Sequence, residues 1–246
     1  MKNSQFKDNL RGIYFIILKD MKSYYFKPPA ISWGMVLPIA WILSFYLRSP
    51  KDFEQLIPGL IAMTILFSTS AAESVVINFE IRIGSFERLL LAPISLPAVL
   101  MGKVLGGAIF GLIMTTLIAG GSIFLFQLQA RFISLFLIII PSLLVFSTLS
   151  ALLCVGVKEV MDAQILLNLP RFLMVFLSGV VYPVWAMPKF LQFISYALPL
   201  TYTINGLRDS FSSASFAGIM KDAIVLIFFF VIFLVPAMKL LERKFA

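Results

Sequence analysis

Residues 78–95, NFEIRIGSFERLLLAPIS, interleave two carboxylates and two guanidiniums, Glu80, Arg82, Glu87 and Arg88, and place a proline at 93. Opposite charges at this spacing can recognise another charged surface; they do not make a catalytic centre. Acid–base or nucleophilic chemistry needs a histidine, clustered acids, or a nucleophile beside a base. The chain has no His and one Cys, Cys154, inside an apolar run. An intrachain disulfide is impossible, and a zinc site of the His/Cys kind is excluded. No G-x-x-x-x-G-K-[ST] loop occurs, since Gly102-Lys103 is followed by Val104 and opens an apolar run. There is thus no loop to cradle phosphates, and ATP hydrolysis by this chain is not expected. On pattern alone the segment reads either as an ordinary solvated loop helix or as a docking helix, in which charged rims would steer encounter and fix register. Glu80, Arg82, Glu87 and Arg88 are expected to supply that surface. Ile81, Ile83, Phe86, Leu89 and Leu90 supply an apolar face. Pro93 ends the helix, because it cannot donate the next backbone hydrogen bond and clashes with the preceding turn.

The elements that must position this segment are oily. Of 246 residues, 60% are hydrophobic and 13% charged, with a mean hydropathy of +0.98. A soluble domain carries about 45–50% apolar and about 25% charged residues. One soluble core could not hide this surface, so lipid is the expected solvent. The fold class expected is all-α and integral to a membrane. The apolar runs are continuous, without the period-2 alternation of lipid-facing strands. Six spans are expected, at about 30–47, 56–78, 99–126, 132–156, 168–184 and 223–241, each near the ~20 residues needed to cross the hydrocarbon core. The domain division expected is an N-terminal amphipathic interfacial helix over 1–27 and a six-span membrane domain over 28–246.

The net charge of +8 lies beside apolar runs, with no interleaved basic–aromatic patch. It therefore points to topology and anionic headgroups, not to nucleic acid. Thirteen Lys and Arg fall on the side of the termini and six on the other, with Arg171 opening the fifth span. The positive-inside rule places both termini in the cytoplasm. Residues 78–95 then form a cytoplasmic corner between spans two and three, and Ser213 faces outward. In 1–27, Phe6, Leu10, Ile13, Ile17, Met21 and Tyr24 recur at helical steps while Lys7, Arg11, Lys19 and Lys22 take other faces. That pattern predicts a basic amphipathic helix lying in the inner interface. Residues 183–211 are Pro-broken and aromatic, and predict short re-entrant or interfacial helices near the outer face. Trp185, Phe190, Phe193, Tyr196 and Tyr202 could form a headgroup-level belt there. Glu73, in span two, is a candidate pathway or gate residue, or a structural carboxylate near the interface. Gly102, Gly106, Gly107 and Gly111 give two G-x-x-x-G spacings, which permit close helix approach; packing within the chain is the expected use.

Two blocks carry a family resemblance. Glu80, Gly84, Ser85, Glu87, Arg88, Leu89, Leu90, Pro93, Ile94 and Ser95, followed by Gly102 and Lys103, resemble the E…G-T-x-E-x-L-x-x-x-P-I-S…G-K signature of type-2 ABC exporter permeases, with Ser85 where Thr is usual. Pro183, Pro188, Pro199, Leu200, Thr201, Tyr202, Leu207 and Arg208 are similar to the P-x-x-x-x-P…P-L-T-Y…L-R run of the same family. The resemblance implies the six-span permease subunit of an ABC exporter in the cell (plasma) membrane, the inner membrane of a two-membrane cell. It implies a homodimer of permeases working with two separate ATPase subunits that bind the ATP and magnesium, and no cofactor on this chain. Residues 80–88, including Arg82, Gly84, Ser85, Glu87 and Arg88, then form the coupling helix that rests on the ATPase. Pro183, Pro188, Pro199, Tyr202 and Arg208 belong to the outer re-entrant region. The implied cargo is amphiphilic, a drug-like molecule or lipid, with a lipid-linked polysaccharide as the alternative. A membrane enzyme lacks its acid pair here, and a secondary transporter lacks its inverted repeat.

Overall fold

The computed structural model describes residues 2–48, 53–157, 160–180, 182–212 and 215–245. Lys51, Lys158 and Ser213 lie outside them, as do the side chains of Glu73 and Glu87. The described residues are helical throughout, with no strand. Helix α1 spans Lys2–Asp20 and runs through a π-helical turn at Met21–Tyr25 into the short α2, Pro28–Ile31. A second π turn, Ser32–Val36, leads to α3, Leu37–Arg48. There follow α4 (Phe53–Arg82), α5 (Ser85–Leu90), α6 (Leu96–Phe126), α7 (Phe132–Val155) and α8 (Val160–Leu177). The chain closes with α9 (Lys189–Tyr196), α10 (Pro199–Phe211) and α11 (Phe216–Phe245).

Among the described residues three helices are long and apolar enough to cross a membrane, Leu96–Phe126, Phe132–Val155 and Phe216–Lys244, with 18-residue stretches of mean hydropathy 2.1, 2.5 and 2.8. Their outward faces are oily; Phe124, Leu125, Ile133, Ile224 and Phe228 are all exposed. An apolar surface of this kind has lipid as its solvent, and the protein is membrane-embedded.

Helix α4 is the central post. It packs on α6, α7, α8 and α10, and its residues from Ile57 to Ala71 are buried on every side. A helix apolar all round belongs inside. Its hydroxyl run is satisfied locally: Thr64 donates to the Leu60 carbonyl at 2.9 Å and Thr69 to Ile65 at 2.8 Å. Such i−4 bonds let hydroxyls sit in an apolar bundle without orphaned donors. Helix α7 is stitched to two neighbours: the Ser147 hydroxyl donates to the Val104 carbonyl of α6 at 2.7 Å, and Ser142 bonds Thr203 of α10 at 2.8 Å. Lys244, in the last turn of α11, donates to the Val155 and Val157 carbonyls at the end of α7, a cation capping helix C-terminal oxygens.

Two expected spans differ. Residues 30–47 are not one helix but α2, a π turn and α3. Four prolines and glycines fall at Pro28, Pro29, Gly34 and Pro38, and proline removes a helical donor while glycine weakens the ladder. The expected 168–184 helix is Val160–Leu177 instead. Gly179, at φ 88°, turns the chain where the apolar run continues. Arg171 is consequently not at the helix start but in its middle. It is buried, and its guanidinium donates to Ser70 Oγ at 2.7 Å and to Asn168 Oδ1 at 3.1 Å.

Candidate functional site

The charged stretch that opens the sequence argument is divided between two helices. Glu80 and Arg82 end α4; Gly84 turns the chain; Ser85 to Leu90 form α5. Gly84 sits at φ 67° with open space where a Cβ would go, so glycine is set there by backbone conformation, not by crowding. Helix α5 is anchored by Phe86, which is buried in a cluster with Ile16, Ile77, Val99 and Leu100. Ile81 and Leu89 pack on the same cluster. Three residues past Leu90 comes Pro93, and Ser95 opens α6 from an extended conformation. The outward surface of the corner is mixed. Arg82 and Arg88 are exposed, Gly84 and Ser85 are half-buried, and Phe79, Ile83 and Leu91 add exposed apolar area, Leu91 at 87%. Charged groups around an apolar centre are the usual anatomy of a protein-docking surface.

Glu80, expected among those surface charges, is instead fully buried. It belongs to a cluster that residue spacing did not reveal. Lys103, on α6 and also fully buried, holds Glu80 Oε2 at 2.6 Å and both oxygens of Asp20 at 2.8 and 3.0 Å. Lys19 closes the set, pairing with Glu80 Oε1 and, at 3.3 Å, with Asp20. Two cations and two carboxylates from α1, α4 and α6 thus neutralise one another. Burial pushes the Asp20 carboxyl above its ordinary value, against the pull of Lys103. Burial also lowers the Lys19 ammonium, but the Asp20 and Glu80 carboxylates outweigh it and hold Lys19 above the usual lysine value. Tyr24, edge-on to Phe79 with ring centroids 5.8 Å apart, has its phenol raised by burial and then by the Glu80 charge. The legible signal was a lysine and an aspartate, Lys103 and Asp20, each beside a long apolar run: charges buried in such a setting need partners. The pairing itself spans distant sequence and is visible only in three dimensions.

Helix α1 is bound to this corner along one face. Asn9 Oδ1 accepts from the Ser95 amide at 2.9 Å, Gly12 lies against Ile94, and Ile16 is 2% exposed. The opposite face leaves Phe6, Leu10, Tyr14, Phe15 and Leu18 exposed, Phe6 at 64%. The apolar stripe expected at Phe6, Leu10, Ile13 and Ile17 is therefore shared: its edge at Ile13 and Ile17 is half-buried, while Phe6 and Leu10 face outward.

The second block lies at the far end of α4, among short helices. Pro183 precedes a single 3₁₀ turn, Pro188 caps α9, and Pro199 is in the first turn of α10, each where a missing amide costs nothing. Tyr202 donates to the Tyr196 carbonyl at 2.8 Å, and Arg208 to the Gly179 carbonyl at 2.6 Å. Trp185, Phe190, Phe193 and Tyr196 are exposed, whereas Tyr202 is half-buried against Phe229. A cavity of about 510 Å³ opens between Glu54, Pro58, Leu128, Pro183, Trp185 and Arg208. Among the described residues no group of three His, Cys, Asp or Glu could hold a metal.

The structure is thus an all-helical, membrane-embedded bundle with a charged corner beside a buried ion cluster. The chain belongs to the ABC-2 type transporter family, whose profile matches residues 11–212. It is 29% identical to the inner membrane transport permease YadH of Escherichia coli K12 over 196 residues, 76% of this chain and 74% of that one. It is 30% identical to a putative transport permease, ycf38, of Cyanophora paradoxa over 208 residues, 77% and 70% of the two chains. A probable multidrug ABC transporter permease of E. coli K12, YbhS, is 25% identical over 179 residues, 71% of this chain and 48% of that relative. The chain is the membrane subunit of an ABC transporter.

Proposed function

We propose that the chain is an exporter permease: two copies form the pathway, and each seats one ATPase subunit on the corner built by Arg82, Gly84, Ser85, Glu87 and Arg88. The observation that carries this reading is the corner itself. A six-residue helix anchored by Phe86 carries exposed Arg88, and exposed Arg82 and Phe79 at the end of α4, Ile83 in the turn and Leu91 after α5 flank it. In this reading ATP and magnesium are held by the partner, and this chain carries no cofactor. Residues 28–48, α4, α6, α7, α8 and α11 are the six spans, with both termini in the cytoplasm of the cell from whose plasma membrane the substrate leaves. Helix α1 lies in the inner interface on its exposed Phe6–Leu18 face, and α9 and α10 lie at the outer one. The cargo is an amphiphile, a drug-like molecule or lipid; support comes from the name of the multidrug relative and from the apolar and aromatic walls of the outer cavity, with Arg208 and Glu54 among its lining.

The test is direct. Purified alone, the chain is expected to release no phosphate from ATP; co-expressed with the ATPase of a neighbouring reading frame, it is expected to co-purify with it and to stimulate or restrain its turnover. Hydrolysis by the pure permease, surviving removal of contaminants, or failure of every candidate ATPase to associate overturns the reading.

The orientation makes its own prediction. In a Cys154→Ser background, Ile83→Cys and Ser215→Cys, both exposed positions, are expected to react with an impermeant thiol reagent from opposite faces of the membrane, Ile83→Cys only after the inner face is opened. Labelling of both from one face rejects the six-span layout.

A further inference from the structure

We propose that Lys103, held by Asp20 and Glu80, is the positioning residue that makes helix α1 and the α4–α5 corner one moving body, so that displacement of α5 by a docked partner is carried into α1. The proposal rests on the reading of α5 as the ATPase contact.

Three observations lead here. First, the cluster is expensive. Removing charges from water costs free energy that mutual attraction repays only with good geometry, and apolar side chains of similar volume often hold helices as well or better. Four converging charges are therefore poorly explained as glue for two helices. What an ion cluster adds is register: Lys103 reaches Asp20 and Glu80 together, at 2.8 and 2.6 Å, in one alignment only. Sliding α1 by a turn, about 5.4 Å, would leave buried carboxylates unpaired.

Second, the cluster sits where motion would have to pass. Glu80 is the second-last charged residue of α4 before the Gly84 turn, and Lys103 is in the second turn of α6 just after the Ser95 entry. The corner 84–95 is thus clasped at both its roots, and by the same helix. Third, α1 follows α6 as a rail. Asn9 meets Ser95, Gly12 meets Ile94, Ile16 meets Gly102, Asp20 meets Lys103 and Tyr25 meets Gly106. A Cβ added at Gly102 would lie 3.1 Å from the Ile16 side chain, which packs in the space the glycine leaves. Ile16 and Tyr25 reach α4 through apolar neighbours, Ile77 and Val76; the step at Asp20 and Lys103 is tied to it by charge, with Lys103 and Lys19 both holding Glu80. Apolar contacts can slip; the shared lysine cannot without breaking two ion pairs. The face of α1 away from this rail carries Phe6, Leu10, Tyr14 and Leu18, all exposed. Movement of the corner would therefore be delivered to the surface that α1 presents to its surroundings.

Two measurements test this, one without the ATPase. In the isolated chain carrying Cys154→Ser and the buried probe Ile16→Cys, Lys103→Met is expected to raise thiol labelling at least ten-fold. Lys103→Arg is expected to leave labelling within two-fold. In the assembled complex, a fluorophore on Tyr14→Cys is expected to report ATP–vanadate trapping in the parent protein. That signal should be lost in Lys103→Met and in Asp20→Asn while the ATPase remains bound, and kept in Lys103→Arg. A trapping signal that persists in Lys103→Met, or labelling of Ile16→Cys that does not change, overturns the proposal. If Lys103→Met does not insert, Asp20→Asn decides: insertion with a trapping signal that persists overturns it equally. Failure of the ATPase to bind the parent protein strikes the exporter reading alone, since the labelling experiment still stands or falls by itself.

Discussion

Gly111→Leu is expected to prevent the bundle from closing. Gly111 lies on α6 where α4 and α7 meet it. A Cβ there would fall 2.4 Å from Thr69 Cγ2 and 2.7 Å from Leu143 Cδ2. Both neighbours are buried, Thr69 at 0% and Leu143 at 2% exposure, and Thr69 is further fixed by its bond to the Ile65 carbonyl. Neither has room to withdraw. Overpacking of a close-packed interior costs about 1–3 kcal/mol for added methylenes, occasionally more. Alanine at 111 gains up to ~1 kcal/mol of helix propensity, which offsets part of the clash, so Gly111→Ala is expected to fold with a lowered melting temperature. Leucine adds three more carbons to the same gap, and its propensity gain cannot keep pace. Gly120, on the same helix with nothing within 4 Å of its Cβ position, is the control: Gly120→Ala is expected to be neutral or slightly stabilising. Size-exclusion monodispersity and thermal unfolding in one detergent measure all three. Equal behaviour of Gly111→Leu and Gly120→Ala would show that α6 is not packed as described.

That contrast also marks what sequence could and could not supply. The G-x-x-x-G spacings of α6 announce close approach, but not what approaches. Gly102 and Gly106 meet α1 and its π turn through Ile16 and Tyr25, and Gly111 meets α4 and α7, all within one chain. The long uninterrupted runs were legible almost to the residue: 99–126 and 132–156 against Leu96–Phe126 and Phe132–Val155. Their continuous hydropathy outweighs the glycines of the first and Pro141 of the second. The two spans that moved are those where local chemistry competes with hydropathy. Prolines and a glycine break the first. In the fifth, Asp162, Gln164 and Asn168 resemble a loop yet are helical, and the turn at Gly179 stops the helix inside an apolar run. At 78–95 the expected single charged helix is divided: Glu80 and Arg82 end α4, Gly84 turns the chain, and only Ser85–Leu90 form a helix that ends before Pro93. Glu80 was not legible as buried, because a carboxylate at a helix end looks the same whether it faces water or a lysine 23 positions away. Its partners come from both sides of it in sequence, Lys19 before and Lys103 after, and no local pattern links three segments that far apart. What remained on the surface, Arg82 and Arg88, is the part that a partner can read.

Reversing both, with Arg82→Glu and Arg88→Glu, is expected to abolish productive ATPase docking while leaving the permease folded. The two guanidiniums are exposed, and no ion pair involving either is present among the described residues. Exposed charges contribute about 0–1 kcal/mol each to folding, and the cluster of Asp20, Lys19, Glu80 and Lys103 that braces the corner is untouched. At an assembled interface the change is larger. A guanidinium facing a carboxylate becomes a pair of like charges, a loss of about 2–5 kcal/mol, or about thirty-fold or more in affinity. The expected pattern is normal insertion and dimer size, weak or absent ATPase in the purified complex, and loss of permease-dependent ATP turnover. Raising the salt concentration on the parent complex is expected to weaken association in the same direction, because charges more than about 8–10 Å apart are screened at physiological ionic strength. Lys189→Glu, exposed at the start of α9 on the other end of the molecule, serves as the control and is expected to leave docking unchanged. The exposed apolar side chains Phe79, Ile83 and Leu91 supply the remaining contact, so the double reversal should weaken docking more than it slows re-formation of the complex at high salt. Wild-type affinity in the double variant would remove the corner from the docking surface and return α5 to a solvated turn between two spans.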